Sequence, residues 1–314
     1  MRTLVTGAAG FAGRHLVTAL AGWEHEVVGT DLAVPEDAPA GATWRTLDVT
    51  DRQATETLLG EVRPDCLFHL AGFAHVGKAE QDPEGCLAVN FGGTRNVLDG
   101  CLAASAETRA VVVSSAEVYG RVPHEDLPVR EELPLRPGTA YALSKAAAEM
   151  AARHASARGL SVVTLRPFNH IGPGQSDDFV ASAFAHQLAR IEAGKQEPIL
   201  RVGNLEAVRD LTDVRDTVRG YVRAAVAGLD GAVYNVTSGD AVPIKELLRT
   251  LLDLCTAEVE VVEDPERMRP VDLPVFHGSG MRLAGDTGFR AELHLRETLA
   301  DVLDYWRERE ASPR

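Results

Sequence analysis

Runs of β-branched and other apolar residues alternate with amphipathic stretches through the first half of the chain. Residues 3–6, 26–30, 43–47, 66–70, 110–114 and 161–165 read as strands, and 13–21, 51–60, 83–105 and 139–157 as helices. Alternation of this kind is the pattern of βαβ units stacked into a parallel sheet. Strands that read as apolar runs without alternation are buried on both faces, as a doubly wound sheet requires. The pattern predicts an α/β fold, a Rossmann-like doubly wound parallel sheet.

The texture changes after Arg166. Pro167, Gly172, Pro173 and Gly174 break the regularity, and the later elements read as fewer, shorter and separated by longer loops. One more sheet strand is expected at 233–235. A helix signalled by Pro243 runs through Leu247, Leu248 and Leu251, the stretch 263–288 is rich in Pro and Arg, and a last helix reaches about Glu308. The expected division is a sheet domain of residues 1–166 and 205–239, and a smaller second domain of 167–204 and 240–314.

Composition narrows the function classes. With 314 residues, 45% hydrophobic and 25% charged, the chain has the make-up of a globular protein. No apolar run approaches the roughly 20 residues that span a bilayer, and no signal-peptide pattern opens the chain, so the expected location is the cytoplasm. Cys66, Cys86, Cys101 and Cys255 lie far apart with no C-x-x-C pair, and read as buried thiols. A formal net charge of −14 argues against nucleic acid and anionic membranes as partners. A phosphate-bearing ligand must then meet a local positive pocket.

Such a ligand is signalled by Thr6-Gly7-Ala8-Ala9-Gly10-Phe11-Ala12-Gly13, which follows the first strand and opens a helix. Glycines here make a tight turn, let backbone approach a pyrophosphate and leave the anion at the positive end of the helix. Asp31, 18 residues beyond Gly13 at a strand end, stands where a carboxylate reaches the adenosine ribose and repels a 2′-phosphate. Tyr141 and Lys145 sit four apart on one face of a helix, a phenol to move a proton and an ammonium to stabilise the phenolate. Of Ser114 and Ser115 at the end of the fifth strand, the one that points inward would donate to a substrate oxygen, and the spacing to Ala116-Glu117-Val118-Tyr119-Gly120 favours Ser115.

Taken together, the G-x-x-G-x-x-G turn, His69-Leu70-Ala71-Gly72, Ser114-Ser115-Ala116-Glu117-Val118-Tyr119-Gly120 and Tyr141-Ala142-Leu143-Ser144-Lys145 resemble the extended short-chain dehydrogenases/reductases that act on nucleotide-activated sugars. The second half is similar to the GDP-4-dehydro-6-deoxy-D-mannose reductases, through 166–175, 195–199, 202–210, Asp213-Val214-Arg215-Asp216 and Arg269-Pro270. The resemblance implies nicotinamide cofactor contacts from Gly7, Gly10, Phe11, Ala12, Gly13, Asp31, Leu32, Asp48, Val49, Leu70, Ala71, Gly72, Tyr141, Lys145, Pro167 and Phe168. It implies a catalytic set of Ser115, Tyr141 and Lys145, and substrate contacts from Ser115, Glu117, Asn169, Val180, Arg209 and Arg269. Arg209 and Arg269 would form the positive pocket; the plainer readings are an ion pair of Arg209 with Asp210 or Asp213 and a solvated charge at Arg269. His170 reads as holding a turn, and Leu211 stands where relatives carry an aromatic residue.

The implied reaction is hydride transfer to C4 of a GDP-linked 4-keto-6-deoxy sugar. Asp31, with no cation at Ala33 or Val34, favours NAD(H) and leaves NADP(H) as the second option. A nucleotide-sugar 4-epimerase using the same residues is the alternative, and a catalytically dead NAD(H) sensor a remoter one. A 4,6-dehydratase is not expected, because Ala116 stands where a proton-donating side chain would be needed before Glu117. A homodimer is implied, formed by the helices at 83–105 and 139–157, with Ala142, Ala146 and Ala148 allowing close approach.

Overall fold

The computed structural model describes residues 1–22, 26–267 and 273–311. In chain order the first half holds β1 (Arg2–Thr6), α1 (Phe11–Ala21), β2 (Glu26–Asp31), β3 (Ala42–Thr46), α2 (Arg52–Val62), β4 (Cys66–His69), α3 (Val76–Gln81), α4 (Pro83–Leu87), α5 (Thr94–Ala104), β5 (Arg109–Val113), α6 (Ala140–Ala157) and β6 (Ser161–Pro167). The second half holds β7 (His170–Ile171), α7 (Val180–Glu192), β8 (Ile199–Val202), β9 (Val208–Asp210), β10 (Thr212–Asp213), α8 (Val214–Ala227) and β11 (Val233–Val236). It ends with β12 (Ala241–Pro243), α9 (Ile244–Leu254), β13 (Glu260–Glu263), β14 (Val275–Phe276), α10 (Met281–Thr287) and α11 (Leu295–Ala311).

Seven strands form the parallel sheet, in the order β11-β6-β5-β4-β1-β2-β3. The unbroken apolar runs are explained by its two faces. Val5, Phe68, Val111 and Val163 pack against α1, α8 and α10 through Leu16, Leu20, Val218, Tyr221 and Leu283. Their neighbours Leu4, Leu67, Ala110, Val112 and Val162 face the other way, onto Leu58, Leu59, Val97, Leu98, Ala152 and Ala155 of α2, α5 and α6. A separate apolar cluster joins α7, α9 and α11, where Leu188, Leu247, Leu251, Leu299 and Leu303 are fully buried. Among the described residues no helix is long and apolar enough to cross a membrane.

Three expectations need correction. The second half is not short in its main helices; α7, α8 and α11 run 13, 14 and 17 residues. Within the described part of the Pro- and Arg-rich stretch, β14 pairs with β9 and Leu283 of α10 enters the sheet core. The helix expected at 83–105 is α4 and α5 joined by a π-helical segment, Ala88–Gly93. Gly93 lies where a Cβ would meet Val49 Cγ2 at 2.6 Å, so the widened turn passes close under residue 49. Finally, Ala142 and Ala148 are not on the outer face of α6. They are 1% and 2% exposed, Ala146 packs inward beside them, and the outer face carries Leu143 and Met150. Of the thiols, Cys66, Cys86 and Cys101 are buried, and Cys255 is half-buried.

Because Ala148 faces the protein's own interior, Ala148→Leu should overpack it and lower the unfolding free energy by about 1–3 kcal/mol. Urea denaturation at two protein concentrations measures this. A loss that vanishes on dilution would return Ala148 to an intermolecular face.

Candidate active site

Every strand of the large sheet ends on one edge, and the turn 6–13 rises from the end of β1. Gly7 adopts φ +69°, where a Cβ would sit 2.5 Å from the Ala71 nitrogen. A Cβ on Gly13 would sit 2.1 Å from the Gly7 carbonyl oxygen, so the turn closes only with hydrogen there. Helix α1 begins at Phe11 with Gly10 as its N-cap, without a side-chain cap and without an acidic residue in its first turn. Its first N–H groups and the positive end of its dipole are left for an anion.

The neighbouring loops wall this turn. Asp31 ends β2, and its carboxylate accepts the Ala9 N–H at 2.9 Å and the N–H of exposed Leu32 at 2.8 Å. Asp48 accepts the N–H and hydroxyl of Thr50, which leaves its second oxygen outward, while Val49 is buried below. After β4, Leu70 donates its N–H to the Thr6 carbonyl and Ala71 to the Thr6 hydroxyl. A Cβ at Gly72 would lie 3.2 Å from Lys145 Nζ, so this loop brings the turn to α6. His69, pushed down to about 3 by burial, is a neutral brace between the hydroxyls of Thr6 and Thr94. A glycine-lined turn with unspent N–H groups, a carboxylate beside it and a lysine beyond fit a dinucleotide.

Helix α6 opens on Thr139, whose hydroxyl accepts the Ala142 N–H at 3.1 Å, and Glu80 of α3 accepts the Ala140 N–H. Its first turns bury Tyr141 and Lys145 on one face. Tyr141 lies beside Ser115; burial pushes its phenol up to about 12, with the Ser115 hydroxyl opposing. Lys145 donates to the Val113 carbonyl at 2.9 Å, and burial lowers its ammonium to about 8. The two serines part company: Ser115 meets Tyr141, whereas Ser114 donates to Glu149 at 2.7 Å on the far side of the strand end.

Sequence reasoning missed Asn90. It is 1% exposed on the π-helical segment, accepts the Phe73 N–H at 2.7 Å and donates to Ser144 at 2.8 Å. A Cβ at Gly72 would strike its Oδ1, which puts it beside Lys145. The available signal was an asparagine followed by Gly92-Gly93 inside a helix, three poor helix formers together.

On the substrate side, Glu117 lies close enough to act electrostatically on both Tyr141 and Arg209. Arg209 does not form the ion pair that would make it structural. Asp210 accepts from Thr212, Thr237, Ser238 and Gly239, and Asp213 is taken by Arg215 and Thr298. Arg209 instead donates to the carbonyls of Val208 and Leu273, and burial lowers its pKa. Phe168 is buried against Phe276, Asn169 is exposed beyond it, and Leu211 enters the helical core. Val180 opens α7 beside Asp178 and Phe179, which reach His75, the N-cap of α3, and Lys78 within it. His170 does hold a turn: Nδ1 donates to the Phe168 carbonyl at 3.1 Å, and its ring stacks on Phe11 with centroids 5.7 Å apart. Arg269 lies outside the described residues.

Residues 3–237 match the NAD dependent epimerase/dehydratase family. The chain is 38% identical to a GDP-6-deoxy-D-mannose reductase of Pseudomonas aeruginosa, over 98% of each chain. It is 29% identical to a UDP-glucose 4-epimerase of Mycolicibacterium smegmatis, over 98% of this chain and 99% of that one. Among solved structures, RMD from Pseudomonas aeruginosa complexed with NADPH has a TM-score of 0.87 at 37% identity, covering 98% of this chain and 99% of the other. The Thermus thermophilus UDP-glucose 4-epimerase complex with NAD has 0.85 at 30%, with the same coverage. The parallel sheet, the glycine turn and the Ser115–Tyr141–Lys145 cluster thus stand in a chain that belongs to the NAD-dependent epimerase/dehydratase family, the extended short-chain dehydrogenases/reductases, as an NAD(P)-dependent oxidoreductase.

Proposed function

We propose that this enzyme is a nucleotide-sugar 4-ketoreductase acting on C4 of a GDP-linked 4-keto-6-deoxyhexose. The observation that carries the chemistry is the burial of Tyr141 beside Ser115, with Lys145 one helical turn behind on the same face. Likeness to the GDP-6-deoxy-D-mannose reductase supports the choice of sugar and base. When bound, the nicotinamide supplies the hydride. Tyr141, kept as neutral phenol by burial, is the group that hands a proton to the developing alkoxide at C4. Ser115 donates to the same oxygen, and the Lys145 ammonium stabilises the phenolate left behind. Asn169 and Val180 line the sugar nucleotide, with Arg209 and Arg269 on its diphosphate, where guanidinium forks match phosphate oxygens.

Residues 1–166 and 205–239 are assigned to the cofactor, and 167–204 and 240–314 to the sugar nucleotide. NADH is the preferred reductant over NADPH. Asp31 would face a 2′-phosphate, and Arg14, on the first turns of α1, is committed to Asp37 at 2.9 Å. We further assign a cytoplasmic homodimer, paired through the outer faces of the α4–α5 helix and α6. An epimerase is the second reading, favoured by the same Asp31. A dehydratase is not, because buried Ala116 has no proton to give a departing hydroxyl.

Incubation with GDP-4-keto-6-deoxymannose and either cofactor tests the assignment. The expected outcome is stoichiometric oxidation of NADH, with kcat/KM higher for NADH than for NADPH. Stoichiometric NAD⁺ released on denaturing the purified protein, with no net reduction, would establish the epimerase instead. Tyr141→Phe should bind NADH normally and lose about 10²–10⁴-fold in turnover; a loss of threefold or less on the order of normal variation would remove Tyr141 as the acid.

Lys145 gives a test with a sign. Its ammonium is lowered from 10.5 to about 8 in the folded protein, so the folded state disfavours the charge. The penalty, on the order of 3 kcal/mol, is full below pH 8 and fades as pH rises toward 10.5, because there the unfolded chain also releases its proton. Lys145→Met should therefore abolish turnover and raise Tm at pH 7, with the gain shrinking by pH 10. An equal or lower Tm at pH 7 would contradict the burial penalty.

A further inference from the structure

The carboxylate of Glu149 has no part in the chemistry above, yet it is 1% exposed and fully bonded. Arg166, also 1% exposed, donates to it from Nε at 2.8 Å and Nη2 at 2.6 Å, and the Ser114 hydroxyl donates at 2.7 Å. Arg166 also donates from Nη1 to the Tyr119 hydroxyl at 2.9 Å and lies over that ring, and Tyr119 donates onward to Asn235 at 2.7 Å. Apolar side chains of similar volume would fill this space at lower cost than two desolvated charges. What an ion pair adds is a fixed distance and direction.

Each member adjoins a site residue. Ser114 precedes Ser115, Arg166 precedes Pro167 and Phe168, and Tyr119 ends the 3₁₀ turn that carries Glu117. Glu149 stands one helical turn beyond Lys145 and two beyond Tyr141, on the same buried face of α6. We propose that Glu149 is a positioning residue: clamped by Arg166, it sets the height of α6 against the ends of β5 and β6, and thereby the spacing of Ser115, Tyr141 and Lys145. The charged and titratable groups facing Lys145 are Glu149 and Tyr141 from its own helix, Cys86 from α4 and His69 from β4. Glu149 is the carboxylate among them, and its charge favours the ammonium. The geometry stands alone, but the turnover assay rests on the reductase reading.

Glu149→Gln and the paired Glu149→Met/Arg166→Met variant separate positioning from packing. Glu149→Gln should lower kcat by about tenfold or more with KM for the sugar nucleotide within about threefold. It should also move the alkaline limb of NADH binding, followed by fluorescence, to lower pH. The paired variant should recover the wild-type urea midpoint while keeping the loss in kcat. Wild-type kcat with an unmoved limb in the paired variant would overturn the proposal. Ser114→Ala, which cuts only the link to β5, covers the case in which the Glu149 variants do not fold. It should lower kcat while unfolding stays cooperative, with the urea midpoint lowered only by the loss of one buried hydrogen bond, and unchanged kcat would refute the linkage. If the wild-type protein binds NADH but reduces no GDP-linked keto sugar, the reductase reading fails, and the NADH limb still decides on Glu149.

Discussion

All seven strands of the large sheet run parallel, and the site follows from that one constraint. A parallel pair cannot be closed by a tight turn, so each strand is followed by a crossover that returns the chain to the opposite edge. Every carboxyl end therefore arrives at the same edge, carrying the glycine turn from β1, Asp31 from β2, Leu70–Gly72 from β4, Ser115 from β5 and Phe168 from β6. Residues more than a hundred positions apart become neighbours without any long excursion of backbone. The crossover α6 then adds Tyr141 and Lys145 from above.

The chain solves a charge problem locally. At −14 overall it repels polyanions, yet its family binds nucleotides. The groups open to an anion are those whose partners have been withheld: uncapped N–H groups at the start of α1, and Arg209, whose neighbouring aspartates are consumed elsewhere. Both act at short range, where the average charge of the surface is screened. The same withholding governs Lys145, which donates to one carbonyl and keeps its remaining protons.

Much of this was legible in the sequence because its physics is local. Apolar runs locate the strands, a helix period places Tyr141 and Lys145 on one face, and a glycine turn between strand and helix announces an anion site. What was hidden depends on three-dimensional partners. The inward turn of Ala142 and Ala148 needs the placement of α6 on the sheet. Asn90 needs the π-helical register that rotates it toward Ser144, and no pattern of period 3.6 contains that rotation. Which serine faces Tyr141 is decided by Glu149 and Arg166, each remote in sequence from the strand end they organise. Arg209 was ambiguous for the same reason: its aspartate neighbours in sequence have other partners in space.

The stack of Phe11 on His170 has a mechanical meaning. Phe11 opens α1 at the close of the glycine turn, and His170 opens the short strand that follows Asn169; His15 meets the same Phe11 ring edge-on at 5.6 Å. Two stretches distant in sequence are thus held to one another by the flat faces of two rings rather than by backbone.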